Sequence, residues 1–321
     1  MNYRSDFDMR EQSLSLTWPA IPGPWQRISR EFRLAFLAAC LIGTITHLYV
    51  FTNLLLNHDS STQLYTNNDV LSSGRWALEY LSVFSTYFQL PVVIGLISIL
   101  ALAVTAGLTV RVMELKHPVH IVLASALLVT FPSVAAIFSY LFTADAYFLC
   151  LMLNALAVYC AQRYRRGWLL ALPLLTVACG TYQAFICYAI GLLLFDCILR
   201  LLKGEPLDQV LRRGLGYMLL CAAALILYYA VLNLILFATG TQLVDYQGLN
   251  GMSLENLGRF FQQIPLAYLL FGKNILIPDY LPPVFQVFQI AYLIFAGLMA
   301  LWLAWRKKLL QDPLRLLLVA A

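Results

Sequence analysis

Long apolar runs alternate with short polar segments along most of the chain. Six runs have about 20 residues each, enough for a helix to cross the ~30 Å hydrocarbon core of a bilayer. Because a helix satisfies its own backbone hydrogen bonds, such runs predict transmembrane helices. The third run carries Pro132 near its far end. The predicted spans lie at about 34–56, 90–110, 119–138, 144–161, 215–237 and 284–305.

The apolar stretch 168–202 has 35 residues, which is too long for one transmembrane span and too short for two full ones. Basic residues flank both of its ends, with Arg166 before it and Lys203 after it. If both flanks lie on one side of the membrane, the chain must turn in the middle, and the polar interruption Gly180-Thr181-Tyr182-Gln183 is the predicted turn. Its two short arms place that turn below the membrane surface, on the floor of a cavity. The fold class is therefore an all-α polytopic membrane bundle of about eight transmembrane helices.

The polar segments define the predicted organisation. A cytoplasmic segment, 1–33, precedes a transmembrane domain, 34–305, whose outer loops are about 57–89 and 239–283. In Val70 to Phe84, apolar residues mix with charged ones, which predicts a helix lying in the membrane interface. Residues 306–321 form a cytoplasmic segment and the start of a further helix too short to span, so we expect a natural protein longer than this chain.

The 21 lysines and arginines are distributed unequally between the two predicted sides. On this topology only Arg75, Arg259 and Lys273 lie outside, and the other 18 lie on the side of the N-terminus. The positive-inside rule therefore predicts a cytoplasmic N-terminus and an outer segment 57–89. The net charge of +5 does not indicate a nucleic-acid partner, because the cations punctuate the spans and form no basic face.

Cysteines and catalytic motifs narrow the function further. All seven cysteines lie in or beside apolar runs, and no CxxC pair indicates a zinc site. The sequence contains no P-loop, GxGxxG, HExxH or nucleophile elbow. An enzyme built in this way is expected to receive an activated substrate from the membrane, and a polyprenyl-phosphate carrier meets that requirement.

The segment between the first two spans carries the catalytic candidates. Asp59 lies just past the first span beside His58, and a partly desolvated carboxylate there could act as a general base on a hydroxyl. Asp69 is the competing candidate. The alternatives are an interfacial acid that only caps or anchors the loop, and for Asp69 a favourable position at a helix start.

Two outer cations, Arg75 and Lys273, are candidates for binding a phosphate. Arg259 is a weaker third, and the alternative for the two arginines is pairing with Glu79 and Glu255 four residues away. Asp145, at the outer start of the fourth span, is expensive to bury and therefore a functional candidate, unless it only caps its helix. The remaining substrate-binding candidates are His58, Trp76, Tyr147, Tyr182 and Gln183, although Tyr182 and Gln183 could instead satisfy their own turn. His47 is expected to be a core histidine.

Four short motifs lie in or beside the predicted outer segments and the predicted turn. They are Asn57-His58-Asp59, Ser73-Gly74-Arg75-Trp76, Asp145-Ala146-Tyr147 and Gly180-Thr181-Tyr182-Gln183-Ala184. Together they resemble the GtrII-type glucosyltransferases, membrane enzymes of the GT-C class that modify O-antigen in bacteria. The resemblance covers roughly residues 34–305, whereas members of that family are usually longer.

The resemblance implies a GT-C core in the bacterial inner membrane with an active site facing the periplasm. It also implies an undecaprenyl-phosphate-linked hexose donor, a lipid-linked or lipopolysaccharide glycan acceptor, and inversion at the anomeric carbon. Asp59 matches the catalytic base best and Asp69 next, while Arg75 would hold the donor phosphate. No cofactor is required by this chemistry, although a divalent cation remains an option. Candidate companions are a flippase and the enzyme that makes the donor.

Two other classes of function stay open at this stage. A flippase or transporter of a lipid-linked sugar would carry polar groups near the bilayer midplane on broken, repeated helices. Here the spans are nearly free of charge apart from Asp196, and the polar residues collect on one face, which favours an enzyme. A non-catalytic membrane partner is the third alternative.

Overall fold

The computed structural model describes a helical chain, and no strand occurs among the residues that it describes. Those residues are 28–55, 57–62, 70–82, 85, 88, 90–244, 257–276, 281–306, 312, 315 and 319. The helices are α1 Arg30–Thr52, α2 His58–Thr62, α3 Leu78–Leu81, α4 Pro91–Val112, α5 Pro118–Thr130, α6 Pro132–Phe138, α7 Ala144–Arg163, α8 Trp168–Thr181, α9 Ile186–Leu202, α10 Leu207–Thr239, α11 Leu257–Leu276 and α12 Pro283–Arg306.

Several of these helices are long and apolar enough to cross a membrane. Within the described ranges, six helices have the length and hydropathy of a transmembrane span. They are α1, α4, α7, α9 with its preceding turn, α10 and α12. The pair α5 and α6 makes a seventh if the two are one span bent by 42°. Helix α8 has 14 residues, or ~21 Å at the α-helical rise, so the predicted total of about eight stays a prediction.

The predicted turn inside 168–202 is confirmed. Helix α8 ends at Thr181, Tyr182 adopts an extended conformation, and a 3-10 turn over Gln183–Phe185 leads into α9. Because this break follows the polar residues Gly180 to Gln183, the apolar runs on either side form two antiparallel arms. The hairpin therefore brings both of its inner ends to the same end of the bundle.

Two hydrophobic cores share helix α7. One core joins α1, α4, α5, α6 and the first turns of α7, and the other joins the later turns of α7 to α8, α9 and α10. Glycine permits the close approach of α1 and α4, since Gly95 faces the ring of Phe51 and Gly107 faces that of Phe32. The described side chains of α11 and α12 are almost all exposed, and Ala304 is the buried one among them.

Consecutive spans from α1 to α10 run in opposite directions, so this part of the bundle has two distinct ends. We call one the cavity end, where α1, α6, α8 and α10 finish and α4, α7 and α9 begin. We call the other the basic end, because most of the described cations lie there. These are Arg30, Arg33, Arg111, Lys116, Arg163, Arg165, Arg166, Arg200, Lys203, Arg212, Arg213 and Arg315.

The third span is broken at Pro132, and His47 supports the break. In a continuous helix the Val129 carbonyl would accept a hydrogen bond from the backbone N–H of Ser133. The extended conformation of Phe131 ends α5 before that bond forms, and His47 Nε2 donates to the Val129 carbonyl oxygen at 2.9 Å instead. His47 is 4% exposed and packs against the ring of Phe138. It is the core histidine that the sequence predicts.

The element boundaries differ from the predicted ones where the helix and the apolar run do not coincide. Helix α1 begins at Arg30 because the Ser29 hydroxyl accepts from the backbone N–H of Phe32. In residues 70–82, turns precede the four-residue helix α3, while residues 83 and 84 lie outside the described ranges. The interfacial helix predicted over Val70 to Phe84 is therefore not confirmed. Helix α11, in the segment 239–283 that the sequence predicts to be the second outer loop, was not predicted.

Candidate functional site

A cavity of about 400 Å³ opens at the cavity end of the bundle. Its walls come from the segment between α1 and α4, from α6 and the loop after it, and from the α8–α9 turn. The site therefore combines parts of three polar connections that are far apart in sequence. The lining residues are Asp59, Val70, Arg75, Leu78, Ser133, Ala136, Ile137, Tyr140, Phe142, Thr143, Tyr147, Tyr182 and Phe185.

Asp59 is the carboxylate that lines this cavity. It lies in the first turn of the short helix α2, and its side chain is 59% exposed. His58 Nδ1 lies 3.4 Å from Asp59 Oδ1, and the His58 ring is 91% exposed. The carboxylate is therefore open to solvent and to a large substrate. The other candidate base, Asp69, lies outside the described residues.

Arg75 lies against a cluster of aromatic rings formed by Tyr147, Tyr182 and Phe185. Its guanidinium carbon is 4.8 Å from the centre of the Tyr182 ring, within the ~6 Å range of a cation–π contact. Arg75 Nη1 is also 3.5 Å from the hydroxyl oxygen of Tyr147. The Tyr147 and Tyr182 rings are themselves 5.0 Å apart. The guanidinium is thereby held at the cavity wall, where its planar donors suit a phosphate.

The backbone that carries Arg75 is fixed by hydrogen bonds to Gly74. The Gly74 carbonyl oxygen accepts from the Tyr228 hydroxyl at 2.9 Å and from Gln183 Nε2 at 3.2 Å. Gln183 Nε2 also donates to the Tyr228 hydroxyl oxygen at 2.7 Å. Gly74 has φ +77°, and a Cβ there would lie 3.0 Å from Tyr228 Oη, so the turn requires glycine. The amide of Gln183, predicted to contact substrate, holds this turn.

A second contact joins the same loop to the end of α8. The backbone N–H of Ala77 donates to the Gly180 carbonyl oxygen at 2.8 Å. The indole of Trp76 covers the α-carbon of Gly180, and any side chain at position 180 would overlap it. Trp76 packs against the core shared by α7 to α10 and is not among the cavity-lining residues. Its predicted contact with substrate remains a prediction, while its packing role is observed.

The structure does not bring Asp145 or Lys273 to the cavity lining. Asp145 is 2% exposed, and its Oδ1 accepts from the backbone N–H of Ala146 inside the first turn of α7, whose N-cap is Thr143. Lys273 lies on α11 with an exposed side chain. The Arg259 side chain lies outside the described part of the chain.

Sequence reasoning missed much of the aromatic wall. Tyr140 and Phe142, which follow α6, line the cavity together with Ser133 on α6 itself. The predicted topology already indicates Tyr140 and Phe142 as candidates, since it puts residues 139–143 at the same end of the bundle as Asp59. Tyr228 was also missed, although a tyrosine inside an apolar span is expected to find a partner for its hydroxyl.

No group of three or more His, Cys, Asp or Glu side chains that could hold a metal ion lies together within the described ranges. The free cysteines are dispersed over the helices and are mostly buried. The expectation that the site requires no cofactor, with a divalent cation as an option, stays a prediction.

Comparison with known proteins identifies the family. No curated protein and no solved structure matches the chain. The profile of one family, described as Glucosyl transferase GtrII, matches residues 48–321 and so includes every residue of the cavity. This match covers most of the chain and agrees with the resemblance carried by the four short motifs. The chain belongs to the GtrII glucosyl transferase family.

Proposed function

We propose that the chain transfers glucose from a polyprenyl-phosphate carrier to a hydroxyl of a glycan acceptor such as O-antigen, with inversion. Family membership supplies the glucosyl transfer. One observation supports the phosphate-linked donor and the displacement mechanism. Asp59 and Arg75, which belong to one polar segment, line the same cavity, whose walls carry aromatic side chains. A carboxylate and a guanidinium are the two groups that displacement of a sugar phosphate needs.

The proposed reaction is a single displacement. Asp59 accepts the proton of the acceptor hydroxyl as its oxygen attacks the anomeric carbon of the donor sugar. The bond from that carbon to the phosphate oxygen breaks, and the phosphate leaves with the electron pair. Arg75 binds the phosphate, whose negative charge grows in the transition state. One displacement inverts the configuration of the anomeric carbon.

The aromatic residues of the cavity fit a sugar substrate. Tyr140, Tyr147 and Tyr182 combine apolar ring faces with hydroxyl groups that donate and accept hydrogen bonds. Lys273 does not line the cavity, so the proposal places the leaving phosphate on Arg75 and keeps Lys273 as a secondary candidate.

The proposed orientation has the cavity end in the periplasm and the basic end in the cytoplasm of a bacterial inner membrane. Its support is the charge distribution, since the cations cluster at the basic end and the positive-inside rule assigns that end to the cytoplasm. A flippase for the donor and an enzyme that makes it are the proposed companions, because the donor must reach the outer face.

The test is a transfer assay with the purified chain, polyprenyl-phosphate glucose and lipopolysaccharide acceptor. Asp59→Asn is expected to lower kcat by about 10²- to 10⁴-fold, the usual contribution of a general base. Asp208→Asn, the same chemical change at the basic end, is the matched control and is expected to be active.

Two other outcomes of this assay would replace the proposed base or the proposed function. If Asp59→Asn is fully active and Asp69→Asn is not, the base is Asp69. Wild-type protein that transfers no sugar but moves the carrier across vesicles would establish the flippase instead.

A further inference from the structure

A second cavity lies at the basic end, away from the proposed active site. Its volume is about 340 Å³, and its walls are the last turns of α4, α7 and α9 together with the α4–α5 loop. Four cations line it: Arg111, Lys116, Arg163 and Arg200. The remaining lining residues are Val110, Glu114, Leu115, Tyr159 and Gln162.

The carboxylates near this cavity are shared among the cations. Glu31 accepts from both Arg111 and Lys116, at 3.5 Å and 3.3 Å. Asp196, 1% exposed, accepts from Arg200 at 3.0 Å and lies 3.5 Å from Arg213. It also accepts from Gln162 and the Tyr217 hydroxyl, so its oxygens have little capacity left for a further cation.

Positive charge is in excess around the cavity. Glu114 pairs with Lys203, and Glu205 pairs with Arg200, which already binds Asp196. Arg163 lines the cavity with an exposed side chain, and no carboxylate of the described residues forms an ion pair with it. The cavity therefore offers two or three cations to an external anion. A phosphate group fits this chemistry.

Exposed aromatic side chains near the cavity indicate that such a phosphate belongs to a membrane lipid. Tyr164 and Trp168, one and five positions after Arg163, expose 55% and 53% of their surface. Exposed tyrosine and tryptophan at the end of a span are typical of the membrane–water interface, the level of lipid phosphates. Tyr159, which lines the cavity, contacts the ring of Tyr164. Basic pockets between transmembrane helices at this level bind anionic lipid head groups.

We propose that the cavity at the basic end binds the phosphate of an anionic phospholipid, with Arg163, Arg111 and Lys116 supplying the positive charge. The half-buried Leu115 offers an apolar contact to the glycerol and the first acyl carbons. This site is independent of glucosyl transfer, since none of its residues lines the cavity that holds Asp59.

The experiment titrates the full chain, in an uncharged detergent, with phosphatidylglycerol or phosphatidylcholine and counts bound lipids by native mass spectrometry. Wild type is expected to retain phosphatidylglycerol selectively. Arg163→Gln is expected to weaken that binding about fivefold, the effect of one interfacial cation. Arg166→Gln, the same charge change on an exposed neighbour outside the cavity lining, is expected to bind as wild type does.

Three results would overturn the proposal. The first is equal retention of the two lipids by wild type, and the second is equal weakening by Arg163→Gln and Arg166→Gln, which would mean a general charge effect. The third is displacement of the lipid by millimolar inorganic phosphate, which would assign the cavity to a soluble anion. Thermal midpoints without lipid check that both variants are folded.

Discussion

The guanidinium carbon of Arg75 lies over the ring of Tyr182, 4.8 Å from the ring centre. Tyr182 is the single extended residue between α8 and the 3-10 turn. The two residues are more than 100 positions apart, yet the break in the hairpin and the polar segment after α1 meet at this contact. The position of Arg75, which is proposed to bind the donor phosphate, thus depends on the ring of Tyr182 from another part of the chain.

Removal of that ring is expected to weaken catalysis. Tyr182→Ala loses a cation–π contact of ~0.5–2 kcal/mol, which corresponds to a loss of about 2- to 30-fold in kcat/KM. Tyr182→Phe keeps the ring and is expected to retain most activity. Steady-state kinetics with varied donor measure both. Equal losses in the two variants would show that the hydroxyl, not the ring, is what matters.

Tyr228→Phe is expected to loosen the turn that carries Arg75. The Gly74 carbonyl oxygen loses its hydrogen bond from the buried Tyr228 hydroxyl but keeps the one from Gln183, so the expected cost is ~0.5–1.5 kcal/mol. We expect a lower thermal midpoint and a higher KM for the donor. Tyr229→Phe, in which the neighbouring exposed ring loses its hydroxyl, is the matched control. If both variants behave like wild type, the Tyr228 bond does not position Arg75.

Gly180→Ala is expected to destabilise the protein by ~1–3 kcal/mol, because the added methyl group overlaps the indole of Trp76. Gly191→Ala is the control, since a Cβ there meets no atom within 4 Å and alanine favours the helix. Thermal unfolding in detergent separates the two. A Gly180→Ala variant as stable as Gly191→Ala would show that the loop and α8 can move apart freely.

Glucosyl transfer is expected to continue in EDTA. The proposed leaving group is a single phosphate, whose charge the Arg75 guanidinium can balance without a metal. Activity is measured before and after chelation, and again after addition of Mg²⁺ or Mn²⁺. Loss of transfer on chelation and its recovery with either ion would contradict this expectation.

The sequence predicts the spans and the α8–α9 turn well because both depend on local composition. An uninterrupted apolar run must be helical in a bilayer, and four polar residues inside one mark a break. Helix ends were less accurate, since α10 continues through Arg212 and Arg213 to Leu207, beyond the apolar run. A charged but helix-favouring segment extends a span without any signal in its hydropathy.

The candidate site was predicted only in part, for a physical reason. Arg75 stands out because cations are rare outside the basic end, and Asp59 because it follows directly after the first apolar run; both line the cavity. The roles of Trp76 and Gln183 depend on contacts with residues distant in sequence. Trp76 packs against Gly180, and Gln183 donates to the Gly74 carbonyl oxygen. Spacing along the chain does not show that an aromatic or amide side chain will pack against a backbone and not face a ligand.

The break at Pro132 has a consequence for how the cavity can change. His47 satisfies the Val129 carbonyl near the end of α5, so that carbonyl needs no hydrogen bond from α6. Ser133, Ala136 and Ile137 of α6 line the cavity as a separate short segment. Substitutions in this segment can therefore reshape one wall of the cavity while α5 keeps its structure. Under the proposed function, acceptor preference can change through α6 without loss of the fold.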